Sequence, residues 1–213
     1  MPAASAISFM LTRRYPYRKN ASRAAEVDVK TEQEPVHTGL GDRIVPREII
    51  GNLRLAGKTI LITGGHSGIG LVVARALSET GARIVVGARD MEKARRALTR
   101  LKNVTFDHLD LSDPHSIDVF SEKFAGSNSK LDFLIDNAGI MTLPTPARDS
   151  RGYELQFAIN HLGHFQLTGR LWDLLRNAQS SRVIVLSSYG HRFSSVHFDD
   201  IHFSNRPYEK WAA

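Results

Sequence analysis

The stretch TGGHSGIG at 63–70 has the residue types and spacing to hold a phosphate. Glycines let a backbone turn sharply and let an anion approach the main chain. A helix starting just beyond would add unpaired N–H groups and the positive end of its dipole. Thr63, Gly64, Gly68 and Gly70 make a T-G-x-x-x-G-x-G pattern, with His66, Ser67 and Ile69 between them. Taken alone, such a loop is equally well a tight turn. Other polar residues follow apolar runs: Asp110 and Leu111, then Asn137-Ala138-Gly139, then Ser187 and Ser188. The 213 residues contain no cysteine, which rules out disulfides, thiolate metal sites and a cysteine nucleophile within them. His161 and His164 could share a helix face, but no nearby acid or third histidine supports a metal, and they read as surface or packing residues.

The elements around these residues set their meaning. TILIT (59–63) reads as a buried strand ending in glycines, and Ile69 to Thr80 has helical spacing closed by Gly81. RIVVGA (83–88) is a second strand. Asp90 opens the amphipathic helix of DMEKARRALTRL. VTFDHLDL is a third strand. SDPHSIDVFSEKF is a helix, with Ser112 expected as its cap and Pro114 in its first turn. LDFLIDNAG is a fourth strand, a long helix is expected from about 150 to 178, and RVIVLSS (182–188) is a fifth strand. Strands alternating with helices predict parallel βαβ units, hence an α/β Rossmann-type doubly wound sheet with its ligand at the strands' carboxyl ends. A glycine loop between a strand and a helix is a far stronger signal than the same loop alone.

From about Leu53 to the end, the chain resembles the short-chain dehydrogenase/reductase family. The loop at 63–70, Asn137-Ala138-Gly139 after the fourth strand, Asp110 in LDLSD, Asn160 in NHLGHFQLT and Ser188 in VIVLSSYGHR carry the likeness. NHLGHF and SSYGHRF are most similar to its retinol-dehydrogenase-like and WW-domain-oxidoreductase-like branch. The resemblance implies a nicotinamide cofactor held by the loop residues, by Asp110 and Leu111 at the adenine, and by Asn137, Ala138 and Gly139. It implies Ser188 as the catalytic serine and Asn160 as the catalytic asparagine. Read without it, Asp110 also suits a helix cap and Ser187 and Ser188 ordinary strand-end hydroxyls.

Cofactor preference is set at the end of the second strand, where an acid would bind the 2′-OH of NAD and repel a 2′-phosphate. Here Ala88 stands in that place and Arg89 follows, so NADP is expected over NAD. Asp90 is adjacent, but is expected to be occupied as a helix cap.

In the resembling family a tyrosine, its pKa lowered by a lysine four residues on, moves the proton at the substrate oxygen. The serine positions that oxygen, and the asparagine helps hold a water path to the lysine. The tyrosines here are 15, 17, 153, 189 and 208, and only YPYRK (15–19) has the Y-x-x-x-K spacing. It precedes the first strand and contains Pro16, so it reads as coincidence. Tyr208 has Lys210 two residues on, on a different helix face. The expectation is a Rossmann domain incomplete on its C-terminal side, cut before the Tyr/Lys pair and with little or no turnover. A serine hydrolase using Ser188 and His191 fits poorly, because no G-x-S-x-G elbow is present. A non-catalytic nucleotide-binding or interaction protein is the alternative.

Bulk properties bound the partners. Of 28 basic residues, Arg13, Arg14, Arg18, Lys19 and Arg23 all precede Glu26, the first acid, leaving 23 against 22 acidic residues. The globular part is nearly neutral, so no nucleic-acid partner is inferred. No apolar run approaches a membrane span. Residues 1–45 read as a basic, disordered tail or linker, and 46–213 as the dinucleotide-binding domain. The expected compartment is the cytoplasm, although the acid-free tail also has the composition of a mitochondrial transit peptide. The resemblance implies a small-molecule alcohol or carbonyl substrate, apolar in character, and a homo-oligomer for a full-length form.

Overall fold

TILIT forms strand β1 (Thr59–Thr63), and Ile60, Leu61 and Ile62 are each at most 1% exposed. A strand buried on both faces is what a parallel sheet with helices on each side requires. The computed structural model describes residue 39 and residues 44–192 and 195–211. The chain divides into two compact units, Met1–Gly51 and Asn52–Ala213. In the first, the start of helix α1 (Pro46–Ile50) is held by Glu48, whose N–H donates to the Val45 carbonyl at 3.0 Å and whose Oε2 accepts the Val45 N–H at 3.3 Å. The basic tail and the YPYRK stretch lie outside the described residues.

The second unit contains the remaining elements. Helix α2 (Gly68–Ser78) follows β1, then come β2 (Arg83–Ala88), α3 (Met91–Leu98), β3 (Val104–His108), α4 (Pro114–Ser127) and β4 (Phe133–Asp136). Next are α5 (Leu155–Phe157), a π-helical segment Ala158–Gly163, α6 (His164–Arg170), α7 (Trp172–Asn177) and β5 (Arg182–Val185). The five strands are all parallel in the order β3-β2-β1-β4-β5. The order reverses between β1 and β4, so their carboxyl ends open a crevice. This is the expected doubly wound sheet.

Alternation along the strands assigns the faces. Leu61, Val85 and Leu134 point into one core with Phe120, Phe124, Leu167 and Leu171 from α4, α6 and the residue before α7. Ile60 and Ile62 face the other way, the side on which α2 packs against β1 and β2. At the opposite end of the crevice, Asp132 is fully buried, accepts the Thr59 N–H at 3.0 Å and pairs with Lys58 at 2.7 Å. Burial opposes ionisation of Asp132, but the Lys58 and Thr59 bonds and the charges of Lys58 and Lys130 hold its carboxyl below the usual range.

Three local details differ from expectation. Asp113, not Ser112, caps α4: its carboxylate accepts the His115 N–H at 2.9 Å, while the Ser112 hydroxyl donates to Asp110 at 2.6 Å. The long helix starts only at Leu155, because the Asp149 carboxylate takes the N–H groups of Arg151 and Tyr153 into a turn first. It is then broken by the π segment and by Leu171, whose φ of −97° and ψ of 7° leave the helix. Finally β5 ends at Val185, since β4 runs out at Asp136, whose carbonyl takes the Leu186 N–H at 3.0 Å.

Candidate cofactor site

Four chain segments meet at the carboxyl ends of the strands around one cavity of about 650 Å³. The glycine loop contributes Thr63, Gly64, His66, Ser67, Gly68, Ile69 and Gly70. The end of β2 contributes Ala88 and Arg89, the end of β3 Asp110 and Leu111, and the turn after β4 Asn137, Ala138 and Gly139. Every residue expected to hold the cofactor therefore lines a single space.

The loop is built for close approach. Gly64 has φ +66°, in the left-handed region where side chains are strained. A Cβ at Gly70 would collide with the Asn137 side chain and the Gly64 carbonyl. Ser67 is the N-cap of α2 and makes no side-chain cap bond, and the first turn holds no acid. Its backbone N–H groups are thus left for an anion at the helix's positive end. These features fit the pyrophosphate of a dinucleotide.

The Thr63 hydroxyl ties the loop to its neighbours. It accepts the N–H groups of Asn137 and Ala138, each at 2.9 Å, and lies 2.8 Å from His164 Nε2 on α6. The Asn137 side-chain amide donates to the Thr63 carbonyl at 2.8 Å. Thr63 and Asn137 therefore hold β1 to β4 and shape the cavity, each side chain bonded to the other's backbone. Asp110 spends part of its carboxylate on the Ser112 N–H and hydroxyl, which fixes the turn leaving β3.

Asn160 and Ser188 are not among the residues lining the cavity. Asn160 stands one residue behind its wall: its Oδ1 accepts the Ile140 N–H at 2.9 Å and its Nδ2 donates to the Ile140 carbonyl at 2.8 Å. Ile140 itself lines the cavity. Ser188 is exposed after β5, and its hydroxyl accepts the Gly190 N–H at 3.1 Å. Tyr208 is a strut. Its hydroxyl donates to the Leu143 carbonyl at 3.2 Å and meets Gln156 Nε2 at 3.3 Å, and burial and Glu154 raise its pKa. A phenol so placed is a poor proton donor and faces no part of the cavity.

Sequence reasoning missed several lining residues. Lys93, Leu109, Ile140, Ile159 and Leu186 also face the space. Lys93 was legible as one helical turn beyond Arg89; Ile159 was not, since it faces the cavity from the π segment. The two histidines have separate roles. His161 stacks on Phe157 with ring centroids 5.2 Å apart, whereas His164 is buried with its Nδ1 3.1 Å from the Asn160 carbonyl. Among the described residues no group of three metal-ligating side chains occurs, and no helix is long and apolar enough to cross a membrane.

Residues 58–198 match the family model described as short chain dehydrogenase. A probable oxidoreductase of Streptomyces antibioticus is 41% identical over 165 residues, covering 75% of this chain and 54% of that protein. Retinol dehydrogenase 13 of Homo sapiens is 39% identical over 165 residues, covering 75% and 50% respectively. Of solved structures, a putative uncharacterized protein from Mycobacterium paratuberculosis superposes with a TM-score of 0.68 at 35% identity, covering 76% of this chain and 57% of that one. The Pseudomonas aeruginosa RhlG/NADP active-site complex does so at 0.58 and 26% identity, covering 76% and 62%. The chain spans about half the length of the curated relatives it matches. With the glycine loop, the strand order and the Asn137-Ala138-Gly139 turn in place, the chain belongs to the short-chain dehydrogenase family, in its retinol-dehydrogenase-like branch.

Proposed function

We propose that these residues form the cofactor-binding part of an NADP(H)-dependent oxidoreductase acting on an alcohol or carbonyl of an apolar small molecule. The observation that carries this reading is the single cavity joining the uncapped start of α2, the Arg89 edge and the Asn137-Ala138-Gly139 turn. The loop N–H groups bind the pyrophosphate. Arg89, beside buried Ala88, takes the 2′-phosphate, because its guanidinium suits a phosphate in charge and shape. Asp110 and Leu111 hold the adenine edge. The nicotinamide, when bound, supplies or accepts the hydride. Ser188 orients the substrate oxygen, and Asn160 holds the Ile140 wall. Solved relatives described as NADP complexes support the choice of nicotinamide, and the retinol dehydrogenases among the relatives support an apolar substrate.

A second reading, nucleotide binding without turnover, is favoured by one feature of the 213 residues. No tyrosine after residue 17 has a lysine four positions on, and Tyr208 is bonded into the fold. In either reading the 213-residue chain binds the cofactor and transfers hydride slowly or not at all. The test compares this chain with one continuing through the coding sequence beyond residue 213, using NADPH oxidation with retinal-like aldehydes. Turnover only in the longer protein supports the oxidoreductase. Binding without turnover in both favours the second reading, and rapid turnover by the 213 residues alone overturns the expectation that they lack a proton-transfer group.

A further inference from the structure

His164 is not among the residues lining the cavity, but it bonds to two that shape its walls. It is buried on α6, 5% exposed. Its Nε2 lies 2.8 Å from Thr63 Oγ1, at the first residue of the glycine loop. Its Nδ1 lies 3.1 Å from the carbonyl oxygen of Asn160, in the π segment. A π turn interrupts the regular helical ladder, and such turns concentrate at functional sites. The one here is pinned by a side chain of the helix that follows it.

Each partner controls a stretch of wall. The Thr63 hydroxyl accepts the N–H groups of Asn137 and Ala138, so its own proton is turned to Nε2. The ring proton is then on Nδ1, facing the Asn160 carbonyl. The Asn160 side chain in turn holds both the N–H and the carbonyl of Ile140. Thr63, Asn137, Ala138 and Ile140 all line the cavity. Only a side chain with an acceptor and a donor on opposite sides spans the two. Asparagine places its amide where Nδ1 stands, and glutamine its carboxamide oxygen where Nε2 stands, so each reaches one partner.

We propose that His164 is a positioning residue for dinucleotide binding, holding the Thr63 hydroxyl that fixes the 137–139 turn and, through Asn160, the Ile140 wall. The inference rests on the reading of the cavity as a dinucleotide site. Released from Nε2, the Thr63 proton turns to the Ile135 carbonyl, 3.5 Å away, and the hydroxyl's lone pairs swing off the Asn137 and Ala138 N–H groups. A turn that must be ordered by its ligand binds that ligand more weakly.

The experiment is titration of the nitrogen-15-labelled 213-residue chain with NADPH and NADH, beside His164→Asn and His164→Gln, reading affinity and hydrogen exchange of the Ile140 N–H. His164→Asn drops the Thr63 bond, and NADPH should bind about tenfold more weakly, the scale of one hydrogen bond, with Ile140 exchange unchanged. His164→Gln drops the Asn160 bond, and Ile140 should exchange about tenfold faster, with NADPH affinity within about threefold. A histidine that only filled space would give the same losses in both variants, and that outcome overturns the proposal. Unchanged NADPH binding in His164→Asn, or unchanged Ile140 exchange in His164→Gln, overturns the corresponding bond's role. If the variants unfold, the unsubstituted chain decides. Its His164 ring nitrogen signals should shift along the NADPH saturation curve, and signals that stay fixed through saturation overturn the inference while the cofactor reading stands. No binding of either dinucleotide by the unsubstituted chain overturns both.

Discussion

His164 Nε2 lies 2.8 Å from Thr63 Oγ1, a buried contact between α6 and the end of β1. It fixes a tautomer. Both acceptor positions of the Thr63 hydroxyl are used by the N–H groups of Asn137 and Ala138. Its one proton must go to His164 Nε2, since the competing Ile135 carbonyl is at 3.5 Å. The His164 proton is therefore on Nδ1, donated to the Asn160 carbonyl at 3.1 Å. A single ring thus joins the glycine loop, the turn after β4 and the π segment.

That chain of bonds predicts a neutral His164. Burial lowers its pKa and the His161 charge adds to this, while the bond to Asn160 opposes them. Protonating Nε2 would aim a second N–H at a hydroxyl with no acceptor left. Because the folded pKa is below the unfolded one, stability from this residue is present above about pH 6.5 and is lost as pH falls. Nitrogen-15 NMR should show an Nδ1–H ring that stays neutral at pH 6.5. Thr63→Val, which strands two N–H groups and Nε2, should cost about 2–4 kcal/mol by urea denaturation. An Nε2–H tautomer, or a near-neutral Thr63→Val, would break the argument.

Asp136 ends β4 buried, with Oδ1 unpartnered and Oδ2 3.4 Å from the Thr168 hydroxyl. Burial pushes its pKa up to about 7, with Thr168 opposing. The folded chain then holds this proton more tightly than the unfolded one. Its contribution is intact below about pH 4, falls as pH rises towards 7, and is flat above that. Asp136→Asn is expected to raise stability above pH 7 by about 2–4 kcal/mol, with little effect at pH 4. Equal effects at both pH values would show that the carboxyl does not titrate in this window.

Asp132 gives the opposite pH sign. Its folded pKa is depressed, so its stabilisation is present above about pH 4 and lost in acid. Asp132→Asn leaves Lys58 without its 2.7 Å partner and weakens the bond to Thr59. It should cost about 1–3 kcal/mol at pH 7, discounting the half-exposed Lys58 end, and less at pH 3. Thermal unfolding of both proteins from pH 3 to 8 reads this directly.

Arg89→Asp replaces the cation at the end of β2 by the acid that would accept a ribose hydroxyl. The expected outcome is inversion of preference, NADH binding more tightly than NADPH, read by quenching of protein fluorescence. Unaltered NADPH affinity in this variant would contradict the role given to Arg89.

The sheet was legible because each strand is a short apolar run and each helix carries its own period. TILIT and RIVVGA needed no distant information, and the Asp90 cap sits three residues before the N–H it accepts. What stayed hidden depends on distant pairing. β5 looked longer than it is because its end is set by Asp136 on another strand. The π segment holds Asn160, whose side chain reaches Ile140, twenty residues back. His164 looked like an ordinary packing histidine, since nothing local marks its partner Thr63, a hundred and one residues away. Ser188 and Asn160 were found by likeness, and neither is among the residues that line the cavity.

The most direct measurement is equilibrium titration of the 213-residue chain with NADPH and with NADH, beside Gly70→Val. Gly70→Val would drive a side chain into Asn137 and the Gly64 carbonyl. The account predicts saturable binding, NADPH at least about tenfold tighter than NADH, and loss of both with Gly70→Val. No binding of either dinucleotide by a folded chain, or binding unchanged by Gly70→Val, would contradict it.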